Sequence, residues 1–236
     1  MEKGISKVPS RVLVTGGGTG IGLAVVAELL ERQVSVCAVG RRLEKLAAAE
    51  ALGAHIIGYD ITEDPSVLFS QCGEFDGLVL NAGIQIRQNI RDWSRSAWAA
   101  ILQTNLVGSA MLTQAFVSQC KGSGSVVGVA STLAKVPAPA TAAYSASKAG
   151  LLAMLRTVAL ESAASNIRVN AVLPGIVDTP MIRDPSRDPS VVDPSLTQLH
   201  PLGRIGAPAE VARVIVDTLQ SQWMTGAEIA IDGGLM

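Results

Sequence analysis

Three side chains in the second half of the chain could together move a proton to or from a substrate oxygen. Tyr144 and Lys148 stand four residues apart, so on a helix they would share one face. We expect the Lys148 ammonium to lower the pKa of Tyr144 from its ordinary value of about 10. Ser131 ends a predicted strand and could donate a hydrogen bond to the same substrate oxygen. Each residue alone is commonplace, so the predicted acid–base chemistry depends on their joint spacing.

A glycine-rich segment near the N-terminus could bind a phosphate. It reads Thr15-Gly-Gly-Gly-Thr-Gly-Ile-Gly22 and follows a run of residues that predicts a strand. Glycines let the backbone turn tightly and approach a pyrophosphate, while free N–H groups and the positive end of a following helix face its charge. A plain turn would also explain glycines. Strand, glycines and helix in this order nevertheless predict a dinucleotide site.

The elements that would position these residues alternate along the chain. Short β-branched runs predict strands, and the stretches between them place apolar residues at helical spacing. Because the strands are almost continuously apolar, we expect an α/β fold with a doubly wound, Rossmann-type parallel sheet of about seven strands, covered by helices on both faces in a single domain over 1–236. The predicted strands are Arg11–Thr15, Ser35–Val39, His55–Gly58, Gly77–Leu80, Ser125–Ala130, Arg168–Leu173 and Glu228–Ile231, and helices are predicted at Gly22–Glu31, Leu43–Leu52 and Tyr144–Glu161.

One segment, Met181 to Pro201, interrupts this alternation. It is rich in Pro, Asp and Ser, has no clear period and precedes the last predicted helix. Segments of this length without regular structure are usually functional lids or disordered. We favour a mobile substrate lid, and disorder is the alternative.

Composition excludes several classes of function. The 236 residues carry a net charge of −1 with dispersed charges, which gives no support for nucleic acid as a partner. No apolar stretch is long enough to span a membrane, and the N-terminus lacks the apolar core of a secretory signal, so we expect a cytoplasmic protein. The three cysteines and two histidines have no metal-ligand spacing, so no metal site is predicted.

Several motifs in the correct order resemble the short-chain dehydrogenases/reductases, and the match runs through nearly the whole chain. TGGGTGIG is similar to the TGxxxGxG cofactor loop of that family, and YSASK is similar to its YxxxK core. The segment Asn81–Gly83 resembles its NNAG element, with Leu80 in place of the first Asn, and Asp232–Gly234 resembles its closing motif. Gly128, in the strand just upstream of the serine, is a second small departure.

The resemblance implies a catalytic tetrad of Asn105, Ser131, Tyr144 and Lys148. Tyr144 would be the general acid in reduction and the general base in oxidation. Lys148 would hold the ribose hydroxyls and lower the pKa of Tyr144, while Ser131 would polarise the substrate oxygen. Asn105 would anchor a water in a proton relay toward Lys148.

The resemblance also implies a set of cofactor contacts. Asp60 would lie beside the adenine ring, and Thr179 would contact the nicotinamide carboxamide. Besides Tyr144 and Lys148, the expected contacts are Gly16, Gly18, Thr19, Gly20, Ile21, Gly22, Arg41, Arg42, Asp60, Ile61, Asn81, Ala82, Gly83, Pro174, Gly175, Val177 and Thr179.

The end of the second predicted strand favours NADP over NAD as the cofactor. An acidic residue there would bond the ribose 2′-hydroxyl, whereas an arginine suits a 2′-phosphate. Gly40 stands where NAD-preferring members of the family carry Asp, and Arg41 follows it. Two observations keep NAD open. Thr19 occupies a loop position where some NADP-type members have a basic residue, and Arg41 and Arg42 could simply face water.

The expected function is hydride transfer between NADP(H) and a ketone, such as a 3-oxoacyl thioester or a small carbonyl compound. An NAD-dependent secondary-alcohol dehydrogenase is the alternative. A non-catalytic dinucleotide sensor would not need Ser131, Tyr144 and Lys148 together, and a sugar-nucleotide epimerase would have a longer region after Lys148. The family commonly pairs the tyrosine helix between subunits, so surplus apolar residues there predict a homotetramer or homodimer: Leu152, Leu155, Val158 and Ala159.

Overall fold

A single parallel sheet forms the centre of the molecule. The computed structural model describes residues 8–183 and 194–236. Within them, the strands lie in the order β3-β2-β1-β4-β5-β6-β7, and every neighbouring pair is parallel. From β1 the chain adds strands first on one side and then, from β4, on the other side, as in a doubly wound Rossmann-type fold. The strands are β1 Arg11–Thr15, β2 Ser35–Gly40, β3 His55–Gly58, β4 Gly77–Leu80, β5 Gly124–Val129, β6 Ile167–Pro174 and β7 Glu228–Ile231.

Helices cover both faces of the sheet, which confirms the predicted fold class. One buried cluster joins the sheet to α1, α2 and α8, and the other joins it to α3, α5 and α6. A π-helical stretch, Gln103–Gly108, connects α4 directly to α5. The helices are α1 Gly20–Glu31, α2 Leu43–Ala51, α3 Pro65–Cys72, α4 Arg95–Leu102, α5 Ser109–Gln119, α6 Ala142–Ser162, α7 Pro194–Thr197 and α8 Pro208–Gln220.

The predicted element boundaries differ from the observed ones by at most two residues, and four of the seven strands have the predicted boundaries. For example, β5 begins at Gly124 and ends at Val129, whereas the prediction was Ser125–Ala130. Pairing explains this shift, because Gly124 aligns with Ile167 of β6 although it has no side chain to signal a strand. Similarly, α1 begins at Gly20, inside the glycine-rich segment.

Gly128 allows helix α6 to approach the sheet closely. A Cβ atom at Gly128 would lie 2.3 Å from Leu155 Cδ1, which is far inside van der Waals contact. Leu155 is fully buried on α6, the helix that carries Tyr144 and Lys148. The missing side chain on β5 therefore helps to bring that helix against the end of the strand that leads to Ser131.

The apolar residues that predicted a subunit contact on α6 lie mostly inside this chain's own core. Leu152, Leu155 and Ala159 are buried, and Val158 packs against the same cluster. These apolar residues are numerous because α6 is deeply buried in the fold, and they do not form a free surface. The argument from these residues for an oligomer was therefore wrong. A different row on α6 is exposed. It contains Ala146, Ala149, Ala153, Thr157 and Leu160, and the exposed Arg156 lies beside it.

The predicted lid is described only at its two ends. Residues 184–193 lie outside the described part of the chain, and the short helix α7 follows them. The lid therefore stays a prediction. Across the described residues, no helix has the length and apolar character to cross a membrane.

Candidate active site

Ser131, Tyr144 and Lys148 line one cavity of about 360 Å³ beyond the carboxyl ends of the central strands. Ser131 follows β5, and its Oγ accepts a hydrogen bond from the N–H of Leu133 at 3.1 Å, which fixes the turn after the strand. Tyr144 and Lys148 project from the first turns of α6 and are 8% and 4% exposed. The structure thus brings the three residues to one place, as their spacing predicted.

Burial shifts the pKa values of both titratable members of this group toward their neutral forms. It lowers the pKa of Lys148 to about 8. It also raises the pKa of Tyr144 to about 12, although hydrogen bonding to Ser131 acts in the opposite direction. Burial removes water from the charged form of each group. The free energy lost in this way exceeds the free energy that the local contacts provide.

The prediction that Lys148 lowers the pKa of Tyr144 is therefore wrong for the cofactor-free protein. Lys148 Nζ donates a hydrogen bond to the Val129 carbonyl oxygen at 2.7 Å. It lies 5.8 Å from the centre of the Tyr144 ring. The lysine is thus engaged with the end of β5, and desolvation dominates the titration of the phenol.

Asn105 lies behind this cavity rather than in its wall. It is fully buried in the π-helical stretch between α4 and α5. Its Oδ1 accepts a hydrogen bond from the N–H of Ile84 at 2.8 Å, and its Nδ2 donates to the Ile84 carbonyl at 2.9 Å. Nδ2 also lies 3.1 Å from Ser147 Oγ on α6. Asn105 therefore joins the loop after β4 to the helix that bears Tyr144.

The glycine-rich loop is packed so closely that side chains would not fit. A Cβ atom at Gly18 would lie 2.3 Å from the carbonyl oxygen of Lys45, and one at Gly22 would lie 2.1 Å from the carbonyl oxygen of Gly16. Gly16 itself has φ +65°, a conformation that favours glycine. Gly16 and Gly18 also line a cavity beside the start of α1, a position that fits a dinucleotide pyrophosphate.

A network around Thr15 holds that loop against the loop after β4. Thr15 Oγ1 accepts hydrogen bonds from the N–H groups of Asn81 and Ala82, both at 3.0 Å. In return, Asn81 Nδ2 donates to the carbonyl oxygens of Thr15 and Gly16 at 3.0 and 3.1 Å. The sequence motif singled out Asn81, but it gave no sign that Thr15 is its partner.

The predicted cofactor residues divide between the large cavity and a neighbouring one of about 150 Å³, and Gly83 lines both. Gly20 and Gly22 line neither. A Cβ atom at Gly20 would meet Thr179 Cγ2 at 3.0 Å, which places it between the glycine loop and the loop after β6. The smaller cavity contains Gly16, Gly18, Thr19, Arg41, Arg42, Asp60, Ile61 and Ala82, and the larger contains Ile21, Asn81, Pro174, Gly175, Val177 and Thr179.

Three cations and one carboxylate, Asp60, line the smaller cavity. Arg41, Arg42 and Lys45 all line it, and Gly40 contributes no carboxylate. Arg41 Nη1 lies 3.8 Å from Asp60 Oδ2. The sequence reasoning missed Lys45, although its position three residues after Arg42, in the first turn of α2, could have indicated it.

Apolar side chains form much of the remaining wall of the larger cavity. Gln85 and Arg87 add polar groups on the side of the loop after β4. The two described ends of the predicted lid both contribute to this wall. The apolar residues are Leu133, Val136, Pro137, Ala138, Met181, Ile182, Leu196, Leu199 and Leu235.

The cysteines and histidines form no metal site within the described ranges, where no three His, Cys, Asp or Glu residues gather. Cys37 and Cys72 are buried free thiols whose Sγ atoms lie 3.8 Å apart. His200 is also buried, with Nδ1 2.7 Å from the Asp232 carbonyl oxygen, and it packs against Gly175.

The fold and these two adjoining cavities define a Rossmann-type oxidoreductase, and comparison with known proteins specifies its family. A family model described as short chain dehydrogenase matches residues 10–190. The chain is 35% identical over 240 residues to 3-oxoacyl-(acyl-carrier-protein) reductase FabG of Thermotoga maritima, covering 95% of this chain and 96% of the relative. It is 33% identical over 233 residues to carbonyl reductase family member 4 of Xenopus laevis, covering 94% and 96%.

A solved structure of another reductase is also similar to this chain. Levodione reductase matches with a TM-score of 0.87 at 25% identity, covering 94% of this chain and 96% of that chain. The protein therefore belongs to the short-chain dehydrogenase/reductase family. It is an enzyme that binds a nicotinamide cofactor and interconverts ketone and alcohol groups.

Proposed function

We propose that this enzyme is an NADP(H)-dependent reductase of a ketone, such as a 3-oxoacyl thioester or a small carbonyl compound. The observation that carries the cofactor preference is the group of cations around the smaller cavity. Arg41, Arg42 and Lys45 line the space at the end of β2, where Gly40 leaves no carboxylate to bond a ribose 2′-hydroxyl. A 2′-phosphate would supply the negative charge that suits these three groups.

The protonation state of Tyr144 supports a role as general acid. With a pKa of about 12, its hydroxyl keeps its proton throughout the neutral range and can donate it to the substrate oxygen. Ser131 donates a second hydrogen bond to that oxygen. When bound, the nicotinamide supplies the hydride in reduction and accepts it in oxidation.

Lys148 and Asn105 would support the same proton transfer without contacting the substrate oxygen. Lys148, now bonded to the Val129 carbonyl, would hold the ribose hydroxyls. Asn105 would anchor a water on the path toward Lys148. Because the surrounding wall is mostly apolar, it excludes bulk water and strengthens the hydrogen bonds from Ser131 and Tyr144.

One contact favours a second candidate function, an NAD-dependent secondary-alcohol dehydrogenase. Arg41 already faces Asp60 at 3.8 Å, so part of its charge is balanced without a phosphate. The cavity unites all three groups needed for proton donation, which a non-catalytic dinucleotide sensor would not need.

The deciding measurement is a fluorescence titration of cofactor-free protein with NADPH and with NADH. We expect at least tenfold tighter binding of NADPH, equivalent to about 1.4 kcal/mol. Arg41→Ala should reduce that preference, whereas Arg213→Ala, which removes an exposed arginine of α8, should leave it unchanged. Tighter binding of NADH by the wild-type protein would favour the alcohol dehydrogenase.

A further inference from the structure

The segments that surround the substrate side of the cavity contain several cations, and the structure distinguishes among them. Lys135 Nζ lies 2.6 Å from Glu228, and Arg183 forms an ion pair with Asp178. Among the residues that the structure describes, the four cations are Arg87, Arg91, Lys135 and Arg183. Two of the four are therefore already paired with carboxylates.

Of the other two, only Arg87 lines the cavity. Both side chains are exposed to solvent, but Arg91 does not line the cavity. Arg87 forms no ion pair with any residue in 8–183 or 194–236. The described wall contains no aspartate or glutamate, and its other cation is Lys148. The cavity thus has a positive group on its substrate side and no carboxylate from the described residues to balance it.

The loop that carries Arg87 is fastened at both ends. At one end, Ile84 exchanges two hydrogen bonds with Asn105. At the other, the N–H of Gln88 donates to the Ala140 carbonyl at 3.1 Å, and Trp93 Nε1 donates to the Gln88 carbonyl at 3.0 Å.

These attachments fix the position of Arg87 relative to the reacting groups. Asn105 also contacts α6 through Ser147, and Ala140 lies just before the first turn of that helix. The backbone of Arg87 is therefore held at a set distance from Tyr144, which is on the same helix.

Much of the rest of the cavity wall is apolar. Leu133, Val136 and Ala138 come from the loop after β5, and Ile182 faces the same cavity. A ligand that fills the space would have an apolar body, with its reacting oxygen at Ser131 and Tyr144.

We propose that the substrate is a keto acid whose carboxylate, separated from the carbonyl by an apolar body, is bound by Arg87. The guanidinium offers two parallel N–H donors that match a carboxylate. This substrate class rests on the proposed ketone reductase function and narrows it.

The test compares reduction of keto acids with reduction of their methyl esters, over a series of chain and ring lengths. Initial rates of oxidation of the reduced nicotinamide give kcat/KM for each member. We expect the wild-type enzyme to prefer the acid of the best pair by roughly tenfold. Arg87→Gln should abolish that preference through a higher KM for the acid, and it should affect the ester rate much less.

Two further variants serve as controls. Arg87→Lys keeps the charge but loses the paired donors, so it should retain part of the preference. Arg91→Gln removes a nearby exposed arginine that does not line the cavity, and it should change neither rate.

The outcomes separate this inference from the proposed function. If the wild-type enzyme reduces esters as well as acids, or if Arg87→Gln slows both equally, the substrate is not selected by its carboxylate, while ketone reduction stands. If neither series is reduced but a 3-oxoacyl thioester is, the substrate class fails and ketone reduction stands. If none of these ketones is reduced, the proposed function fails as well.

Discussion

Tyr144 and Lys148 occupy the same helix face, but the protein interior controls their titration more than their proximity does. Burial favours the neutral phenol and lowers the pKa of the lysine to about 8. A proton donor that stays protonated at neutral pH suits reduction. Oxidation requires the phenolate, so that direction depends on what cofactor binding adds to this site.

The role of Tyr144 can be isolated by removing its hydroxyl. Tyr144→Phe should lower kcat by roughly 10²–10⁴-fold, the usual contribution of general acid–base catalysis, while cofactor binding persists. Steady-state rates and a cofactor titration measure the two effects. Tyr59→Phe is the matched control for kcat, because Tyr59 lines only the smaller cavity and its hydroxyl donates to the Glu63 carbonyl. Near-normal turnover in Tyr144→Phe would remove this residue from the mechanism.

Lys148 should make the stability of the cofactor-free protein depend on pH. Its pKa is about 8 when folded and 10.5 in the reference state, so the unfolded chain binds more protons between these values. The contribution of Lys148 to stability therefore rises with pH through this window.

We expect the stability of Lys148→Met relative to the wild-type protein to fall by about 3 kcal/mol from pH 8 to pH 10.5, since one pKa unit corresponds to about 1.4 kcal/mol. Urea unfolding at several pH values measures this difference. A pH-independent difference would show that the lysine is not desolvated in the folded protein.

At the scale of elements, the site depends on close approaches between backbone segments. The glycine loop packs against α2 through Gly18, the start of α1 packs against the loop through Gly22, and α6 packs against β5 through Gly128. At each contact, the absence of a side chain on one element allows a second element to pack closely beside the site.

Gly22→Ala tests the tightest of these contacts. The new Cβ would lie 2.1 Å from a backbone oxygen, so the loop must move. We expect a loss of stability of about 1–3 kcal/mol, typical of overpacking, together with weaker cofactor binding. Thermal unfolding and cofactor titration measure both. Gly206→Ala is the control, because its Cβ would meet its nearest neighbour at 3.6 Å. Equal behaviour of the two variants would contradict the packing explanation.

At the scale of the whole molecule, the exposed row on α6 is where subunit pairing would occur. It runs from Ala146 to Leu160, contains small side chains, and ends at a leucine that is 82% exposed. Apolar exposure of this kind on an enzyme often marks a contact with another chain.

A homotetramer or homodimer would appear in light scattering as a multiple of the 24.4 kDa chain. Ala153→Arg, in the middle of the exposed row, should shift the enzyme toward smaller species because it places an unpaired charge in a helix contact. Ala48→Arg, on the exposed side of α2, should not. A wild-type protein that is monomeric at micromolar concentration would refute the oligomer.

The fold class and many of the site residues could be predicted from sequence because their signals are local. Alternating apolar runs record which residues are buried, so the strands were placed within one or two residues of those observed. The glycine loop and the tyrosine–lysine spacing lie within one turn or one loop, so their geometry follows from backbone rules.

Tertiary structure alone decided what depends on residues far apart in the chain. It turned Asn105 toward Ile84 and Ser147, paired Thr15 with Asn81, and added Lys45 to the smaller cavity.

Charge and protonation were decided in the same way. The sequence placed Arg87, Arg91, Lys135 and Arg183 near the substrate, but only folding showed that Lys135 and Arg183 have carboxylate partners. Sequence spacing likewise suggested that Lys148 lowers the pKa of Tyr144, whereas the pKa depends on how much water the surrounding elements exclude. The local pattern determined which groups are present, and long-range packing determined their partners and their hydration.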